Sequence, residues 1–282
     1  MSFKHAAITA LALSAFAGAP ATAQSSTQQG LAQANTDPTS EIQSMRLTGI
    51  VRDFQVTHPD FETYAGSAPK DMVMPDLGSD GKPVLNVDLA ASRGWGKPAA
   101  VTSKESFDQW FRDVPGVNVS IPLTIQLERE DRPEGTVYAF AKEKPEYFFP
   151  VDNQGYGLSM EGLRWASPGT HNFHFTYELE TKFVYTDPNE RDAPFVFSFT
   201  GDDDVFVFIN GKLAIDLGGV HSQLHASVNL DEKAEYLGIE PGEEYQLKLF
   251  FAERHTSESN FRIETNLVLR PAKLPTMSAL AD

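Results

Sequence analysis

Strict alternation of apolar and polar residues is the feature that most constrains the fold of this chain. In the stretch VNVSIPLTIQLE, one face collects aliphatic residues while polar residues take most of the intervening positions. The aliphatic residues are Val117, Val119, Ile121, Leu123, Ile125 and Leu127. Because a period of two places alternate side chains on opposite faces, the stretch predicts a half-buried β-strand. Pro122 lies on the polar phase, which indicates an edge position or a bulge because proline donates no ladder hydrogen bond.

The same alternation recurs in HNFHFTYELETKFVY, EYQLKLFFAE and NFRIETNLVLR. Between the segments VFVFI and KLAIDL, the dipeptide Asn210-Gly211 is typical of a type I′ hairpin turn, whose two central residues need positive φ. These segments predict further antiparallel strands, one pair of which is joined by a tight hairpin.

One stretch only is typical of a helix. Thr102 and Glu105 match a capping box, and Phe107, Trp110 and Phe111 then recur at helical spacing. Many strands, one short helix and long loops rich in glycine and proline predict an all-β fold, an antiparallel sandwich or barrel. The weakly patterned first half, up to Gly116, is interpreted as loops wrapped on the core.

The sequence predicts four parts: a signal peptide (1–23), a flexible linker (24–45), one β domain (46–270) and a C-terminal tail (271–282). The first part has a weakly basic start, a short apolar run and the pattern Ala-Thr-Ala, which are typical of a cleavable export signal. Because that run is too short to stay across a bilayer, we expect an exported protein without a membrane span, located in the periplasm, on the cell surface or outside the cell.

Charge and cysteine content argue against several classes of function. The chain has 39 acidic against 23 basic residues, a formal net charge of −16, which opposes nucleic acid and anionic membranes and favours cations. It has no cysteine, which excludes thiol nucleophiles and zinc–thiolate sites. No Ser-His-Asp motif or phosphate-binding glycine loop is present, and we predict no catalytic residue.

Three adjacent carboxylates, Asp202, Asp203 and Asp204, follow Gly201 at the turn after an aromatic strand. Like charges at a tight turn repel one another, and a folded protein commonly neutralises them with a hard cation or with main-chain N–H donors. The alternative is a solvated turn, because aspartate is common in turns that bind nothing.

The strings FVFSFTGDDDVFVFINGKLAIDLGGVHS and EYQLKLFFAERHTSESNFRIET closely resemble the fibro-slime domain, a branch of the PA14-like superfamily. The earlier strings LTGIVRDFQVTHPDFE and YFFPVDNQGYG also resemble that family, so the resemblance covers most of residues 47–270. It implies a β-sandwich, of a kind that in many members binds calcium and glycans at an exposed end. It also implies an association with surface adhesion and extracellular matrix.

The resemblance further implies a divided calcium site. In calcium-dependent members, two consecutive aspartates on one loop hold the ion together with an asparagine and main-chain carbonyls of a later loop. Asp202 and Asp203 match the aspartate pair, with Asp203 and Asp204 as the alternative register, and Asn260 matches the asparagine. We therefore expect calcium as the cofactor, since carboxylate, amide and carbonyl oxygens are its preferred ligands.

Two pairs of histidines allow other interpretations. His221 and His225 have the i,i+4 spacing of a zinc-binding helix, but their surroundings predict loop or strand and no glutamate follows His221. We expect His221 instead to donate to a nearby carboxylate or carbonyl and to fix the aspartate loop. His171 and His174 fall on opposite faces of a strand, which argues against a shared metal.

Glu253, Arg254 and His255 lie just before the predicted second calcium loop. An ion pair between Glu253 and Arg254 that orders this loop is the first interpretation, and a catalytic acid beside an anion-binding arginine is the alternative. Trp95, in the glycine-rich stretch RGWGKP, is the candidate for stacking on a sugar ring, with a buried tryptophan as the alternative.

These observations predict an exported calcium-binding adhesion or carbohydrate-binding module of the cell surface or extracellular matrix, and not an enzyme. The expected partner is an extracellular glycan or a surface or matrix protein. Two alternatives stay open. One is a structural module that binds another protein while its aspartate loop has no ligand, and the other is an enzyme acting on extracellular polysaccharide.

Overall fold

The computed structural model describes residues 42–61, 71–87, 101–156 and 171–272. Within these ranges eleven strands form one sheet and two short α-helices pack beside it. The predicted signal peptide, most of the linker and the tail, and Trp95 lie outside the described residues.

The strands are β1 (Ser44–Phe54), β2 (Asn118–Arg132), β3 (Gly135–Lys142), β4 (Phe175–Val184), β5 (Val196–Gly201), β6 (Asp204–Ile209), β7 (Lys212–Leu217), β8 (Leu224–Asn229), β9 (Glu244–Glu253), β10 (Phe261–Thr265) and β11 (Arg270–Pro271). Helix α1 spans Lys104–Phe107, helix α2 spans Leu230–Leu237, and a 3₁₀ turn spans Pro188–Glu190.

The sheet curls into a nearly closed barrel or sandwich. Its strand order is β7-β6-β9-β4-β1-β2-β3-β10-β5-β8, with β11 beside β4, and all neighbours are antiparallel. β7 and β8 stand at the two ends of this order. The predicted antiparallel all-β fold is confirmed.

Aromatic side chains from facing strands fill the interior of the sheet. Phe175, Tyr177, Phe199, Phe251 and Phe261 are completely buried. The Phe261 ring lies 5.1 Å from the rings of both Phe199 and Phe251, each in edge-to-face geometry. Burial of one such side chain stabilises a fold by about 1.5–3 kcal/mol, so these rings form the principal core.

A second apolar layer covers the opposite face of β6 and β9. The Phe111 ring lies 4.9 Å from that of Phe250, and Phe107 and Trp110 pack beside it. Phe206 is therefore buried although it points away from the main core. The described residues 71–87 and 101–111 thus pack on the sheet, as expected for the weakly patterned first half. The expectation of loops is wrong for β1, which lies inside the sheet between β4 and β2.

The two turn and edge signals are confirmed. Asn210 and Gly211 have φ values of 49° and 76°, as a type I′ hairpin turn requires. Pro122 pairs with Ile50 of β1, whereas the pairing of β2 with β3 begins only at Glu128, so Pro122 lies at a local sheet edge.

Three details differ from the predictions. The capping box of α1 uses Ser103 and Ser106, not Thr102 and Glu105, because the Ser103 side chain accepts from the main-chain N–H of Ser106. β1 begins at Ser44, two residues before the predicted start of the domain.

The third difference is helix α2, which the sequence analysis did not predict. Asn229 caps its start by accepting from two main-chain N–H groups, and Gly238 ends it at a φ of 63°. Only Leu230 and Leu237 of this helix are buried, so its apolar periodicity is weak. The Asn and Gly caps were the available signal.

Candidate functional site

The aspartate loop, residues 201–204, forms the turn between β5 and β6. Its three carboxylate residues are only 4%, 3% and 0% exposed, so the solvated-turn interpretation is wrong. The peptide bond between Asp202 and Asp203 is cis. A Cβ on Gly201 would lie 2.3 Å from the Asn260 carbonyl oxygen, so only glycine allows the loop to approach the chain at Asn260 this closely.

Asn260 lies against Asp202 although 58 residues separate them in sequence. The Asn260 main-chain N–H donates to one Asp202 carboxylate oxygen, and its side-chain Nδ2 donates to the other over 2.9 Å. Antiparallel pairing of β5 with β10 produces this contact, because Gly201 and Phe261 are register partners. The structure therefore brings together the two loops that the resemblance connects.

Asp203 is held by main-chain groups from two other segments. Its Oδ1 accepts from the N–H of His221 at 3.1 Å, and its Oδ2 accepts from the N–H of Arg254 at 3.1 Å. Both donors come from the main chain, so the position of this carboxylate depends on loop backbone rather than on neighbouring side chains.

Asp204 forms a buried ion pair with Arg254. The Arg254 Nε donates to Asp204 Oδ2 at 2.6 Å, and both side chains are 0% exposed. The guanidinium also lies 4.7 Å from the Trp110 ring and donates to the Asp60 carbonyl oxygen at 3.2 Å. Asp204 is thus neutralised by arginine and shielded from solvent.

The predicted ion pair between Glu253 and Arg254 is not formed, because consecutive residues at the end of a strand point to opposite sides. The alternative role of Arg254 as an anion clamp fails too, since the residue is completely buried.

Glu253 is a buried carboxylate with an unsatisfied oxygen. The residue is 0% exposed, and its Oε2 has no hydrogen-bond partner. Its Oε1 accepts one long bond of 3.4 Å from the His255 N–H. An unpartnered buried carboxylate oxygen is costly, so this group is a place where a further partner would be stabilising.

The site holds more negative than positive charge. Asp202, Asp203, Asp204 and Glu253 supply four carboxylates, and Arg254 supplies one guanidinium. Burial raises the pKa of Asp203 to about 8. The charge of Arg254 lowers this pKa, and the charge of Asp204 raises it. Burial also raises the pKa of Asp202, and it raises the pKa of Glu253 well above its usual value, with repulsion from Asp203 and Asp202 adding to it. Such a site favours protons or a cation.

The histidines near the loop contact separate groups. The His221 ring nitrogens face the carbonyl oxygens of Ser222, at 2.9 Å, and Leu217, at 3.4 Å, while its main-chain N–H reaches Asp203. His225 contacts Thr200 Oγ1 at 2.9 Å, and the structure shows no shared contact of this ring with His221 within the described residues. The carbonyl contacts of His221 agree with the sequence analysis, but the bond to the carboxylate comes from its backbone.

His171 and His174 lie outside this carboxylate cluster. His255 borders the cluster but contributes little to it. The His255 Nδ1 contacts the Thr256 carbonyl oxygen. His171 contacts Asp152 and stacks on Phe149 at 3.8 Å, whereas His174 is buried.

Tyr147 and Glu258 form a rim that sequence reasoning missed. The Tyr147 hydroxyl donates to Glu258 Oε1 at 3.0 Å, and Asn260 Nδ2 lies 3.4 Å from Glu258 Oε2. Burial raises the pKa of Tyr147, and the charges of Glu258 and Asp202 add to this effect. The YFFPVDNQGYG string had marked this region, but no local pattern indicated that it reaches the aspartate loop.

The donor set suits a hard cation that takes oxygen ligands. Within the described residues, no three side chains of His, Cys, Asp or Glu are arranged to hold a metal ion by themselves. An ion at this site would therefore need amide or main-chain oxygens besides the carboxylates, as calcium readily accepts. Those groups are present, because Asn260 and the main chain of its loop lie against Asp202.

None of the helices in the described ranges is both long enough and apolar enough to cross a bilayer.

A family model and several curated proteins are similar to parts of this chain. The model of the PA14 domain matches residues 143–279. The chain is 38% identical to protein psiR of Dictyostelium discoideum over 219 residues, which are 76% of this chain and 20% of that protein. It is 36% identical to protein psiD of the same organism over 218 residues, 77% of this chain and 39% of psiD. The chain thus spans well under half of these relatives.

Among solved structures, the PA14 sugar-binding domain from an RTX adhesin is 10% identical, with a TM-score of 0.27, over 79% of this chain and 96% of that one. The A domain of epithelial adhesin 9 from Candida glabrata, in complex with Galb1-4GlcNAc, is 10% identical with a TM-score of 0.25, over 83% and 86% of the two chains. Residues 143–279 thus match the PA14 domain family, and the antiparallel all-β fold of the described residues agrees with that match.

Proposed function

We propose that this chain is an exported calcium-binding module that recognises carbohydrate at a cell surface or in extracellular matrix. Calcium would be held at the aspartate loop by the Asp202 and Asp203 carboxylates and by oxygens of the Asn260 loop. The bound ion would fix the two loops relative to each other and could complete its shell with hydroxyl groups of a glycan.

The observation that carries the calcium proposal is the excess of buried negative charge. Arg254 forms its ion pair with Asp204, and Asp202, Asp203 and Glu253 form no ion pair among the described residues. A group of carboxylates taken out of water needs a compensating charge or proton. A divalent cation supplies that charge and suits oxygen ligands.

The carbohydrate proposal is supported by the rim beside this loop. Tyr147 is half-buried, and its hydroxyl and the exposed Glu258 are joined next to Asn260. A half-exposed aromatic ring and polar groups at the border of an ion site are suited to an amphipathic sugar ring. The family implication of glycan binding agrees with this arrangement.

Calcium titration of the full chain tests the metal part. We expect CaCl₂ added after chelator treatment to raise the free energy of unfolding by about 2.7 kcal/mol when free calcium is ~100-fold above its Kd. Asp203→Asn should abolish this increment, whatever it does to metal-free stability. Asp131, an exposed residue of β2, provides the control, since Asp131→Asn should retain the full increment.

Absence of any calcium response in calorimetry and in thermal unfolding would refute the metal proposal. A glycan array, probed with calcium and again with chelator, tests the second part. Binding that requires calcium is the expected result. A silent array for a chain that does bind calcium would contradict carbohydrate recognition and favour a protein partner.

A further inference from the structure

A cleft of roughly 600 Å³ lies beside β7 and β8, the strands at the two ends of the sheet. We call it the seam cleft. Its walls come from β7, from Val228 of β8, from helix α2 and from the segment 71–86. None of its lining residues belongs to the aspartate loop or is Glu253 or Asn260. The size falls within the ~300–1,000 Å³ typical of small-molecule sites.

The polar groups of the seam cleft are incompletely satisfied. Asp216 lines it, and the Asp216 Oδ1 atom is buried without a hydrogen-bond partner, while Oδ2 accepts one long bond of 3.4 Å from Val73 N–H. Lys233, on the α2 side, has no ion-pair partner within the described residues. The cleft therefore offers both an acceptor and a donor.

Apolar side chains form much of the wall of the same cleft. Tyr236 lines it and is 48% exposed. The apolar residues Val73, Pro75, Leu213, Val228 and Leu237 line it as well. Apolar walls around a few polar groups are typical of a small-molecule site.

The charges and shape select the class of ligand. Asp71, Asp216 and Lys233 place charges of both signs in one cleft, so an anion would meet two carboxylates and a cation would meet the lysine. An apolar wall and an exposed tyrosine beside hydrogen-bonding groups match a ring that has an apolar face and hydroxyl edges. We infer that the seam cleft binds a neutral pyranose ring without calcium, stacked on Tyr236 and hydrogen-bonded by Asp216 and Lys233.

An added β-strand from a partner chain fits the cleft less well. The edge of β7 already receives a main-chain bond, because Leu213 N–H donates to the Pro75 carbonyl at 2.8 Å. Asp76 forms a further bridge with Lys212 at the start of this strand. Since these contacts occupy the edge that an incoming strand would use, the cleft favours a compact ligand.

Burial raises the pKa of Asp216 to about 7, with the charges of Asp204 and Asp71 adding to this effect. Near neutral pH its carboxyl can therefore either donate to or accept from a sugar hydroxyl.

Saturation-transfer NMR on the full chain in EDTA tests the inference. The probes are the methyl glycosides of glucose, galactose and mannose, titrated separately. We expect saturation transfer to the ring protons of at least one probe, with a Kd that weakens about fivefold or more in Tyr236→Ala, the equivalent of about 1 kcal/mol. Leu224→Ala removes an exposed hydrophobic residue that does not line the cleft and should leave the Kd unchanged.

The outcomes separate this site from the aspartate loop. Asp203→Asn should leave binding in EDTA intact if the seam cleft is the site. No transfer to any probe, or an unchanged Kd in Tyr236→Ala, would overturn the inference. Binding that appears only with calcium and disappears in Asp203→Asn would also overturn it, while supporting the proposed function.

Discussion

Two buried clusters of charged residues in this molecule differ in their balance of positive and negative charge. In the first, which we call the Glu178 cluster, Arg52 bonds both Glu178 and Asp113 at 2.9 Å, and Lys82 reaches Glu178 as well. Two cations there meet two carboxylates. At the aspartate loop, four carboxylates are accompanied by one ion-paired cation, Arg254, among the described residues. The Glu178 cluster is complete with protein groups, whereas the aspartate loop is complete only when a proton or cation is added.

This difference indicates which buried clusters of charged residues are candidates for ligand binding. A balanced cluster connects elements, here the segment at Lys82 with β1 and β4, and needs nothing from solution. An unbalanced cluster of buried charges lowers stability until a ligand balances it. This loss of stability is tolerated where ligand binding makes use of the excess charge. Breaking each cluster should therefore have opposite effects on stability.

The largest effect is expected at the Glu178 cluster. Glu178→Gln removes a 1% exposed carboxylate and leaves Arg52 and Lys82 without its charge. We expect a loss of about 3–5 kcal/mol in the free energy of unfolding, measured with denaturant, with or without calcium. Glu244→Gln is the control, because its pair with Lys182 is exposed to solvent and should contribute little to stability. Equal losses in the two variants would contradict the comparison.

At the aspartate loop the sign should reverse. Glu253→Gln replaces a buried carboxyl group whose Oε2 lacks a partner, so the metal-free free energy of unfolding should rise by about 1–3 kcal/mol. The same variant should weaken calcium binding by about tenfold, since the charge that attracts the ion is reduced. The control is Glu258→Gln, at an exposed position of the loop between β9 and β10. This variant should leave the metal-free free energy of unfolding unchanged. A less stable metal-free Glu253→Gln would show that the cluster is already balanced.

The smallest effect concerns pH and the seam cleft. Because burial raises the pKa of Asp216 to about 7, the stability that its protonated form provides is fully present below the unfolded pKa of ~3.9 and is lost as pH rises through 7. Asp216→Asn should remove this dependence and add about 1 kcal/mol near neutral pH, after allowance for solvent at this half-buried residue. Denaturant unfolding at several pH values between 4 and 8 measures it. Parallel pH profiles of the two proteins would contradict the assignment.

Much of the fold could be predicted from the sequence, because the alternation of apolar and polar residues is a local signal. The inward residues of β4, β9 and β10 and the hairpin at Asn210-Gly211 were predicted from neighbouring letters. The second apolar layer was missed, since polar-phase residues such as Glu178 are buried by a distant segment. The run VFVFI in β6 was the overlooked signal, because a continuous apolar strand indicates burial on both faces.

The candidate site was readable only in part. The resemblance connected Asp202 with Asn260, and the structure shows these residues in contact. Local pattern could not assign Arg254 to Asp204, because their pairing depends on the register of β6 beside β9. The unsatisfied oxygen of Glu253 is likewise a property of three-dimensional packing, which sequence spacing does not encode.

The position of β7 and β8 has a consequence for self-association. Unpaired strand edges are templates for edge-to-edge aggregation, and open sheets need a means of protecting them. Here the two terminal strands are brought close to each other by the curl of the sheet and by the short loop that joins them. Each of the two edges is screened by the other, and the segment at Pro75 also covers β7. The described part of this chain, which has no disulfide, therefore presents little free strand edge to neighbouring molecules.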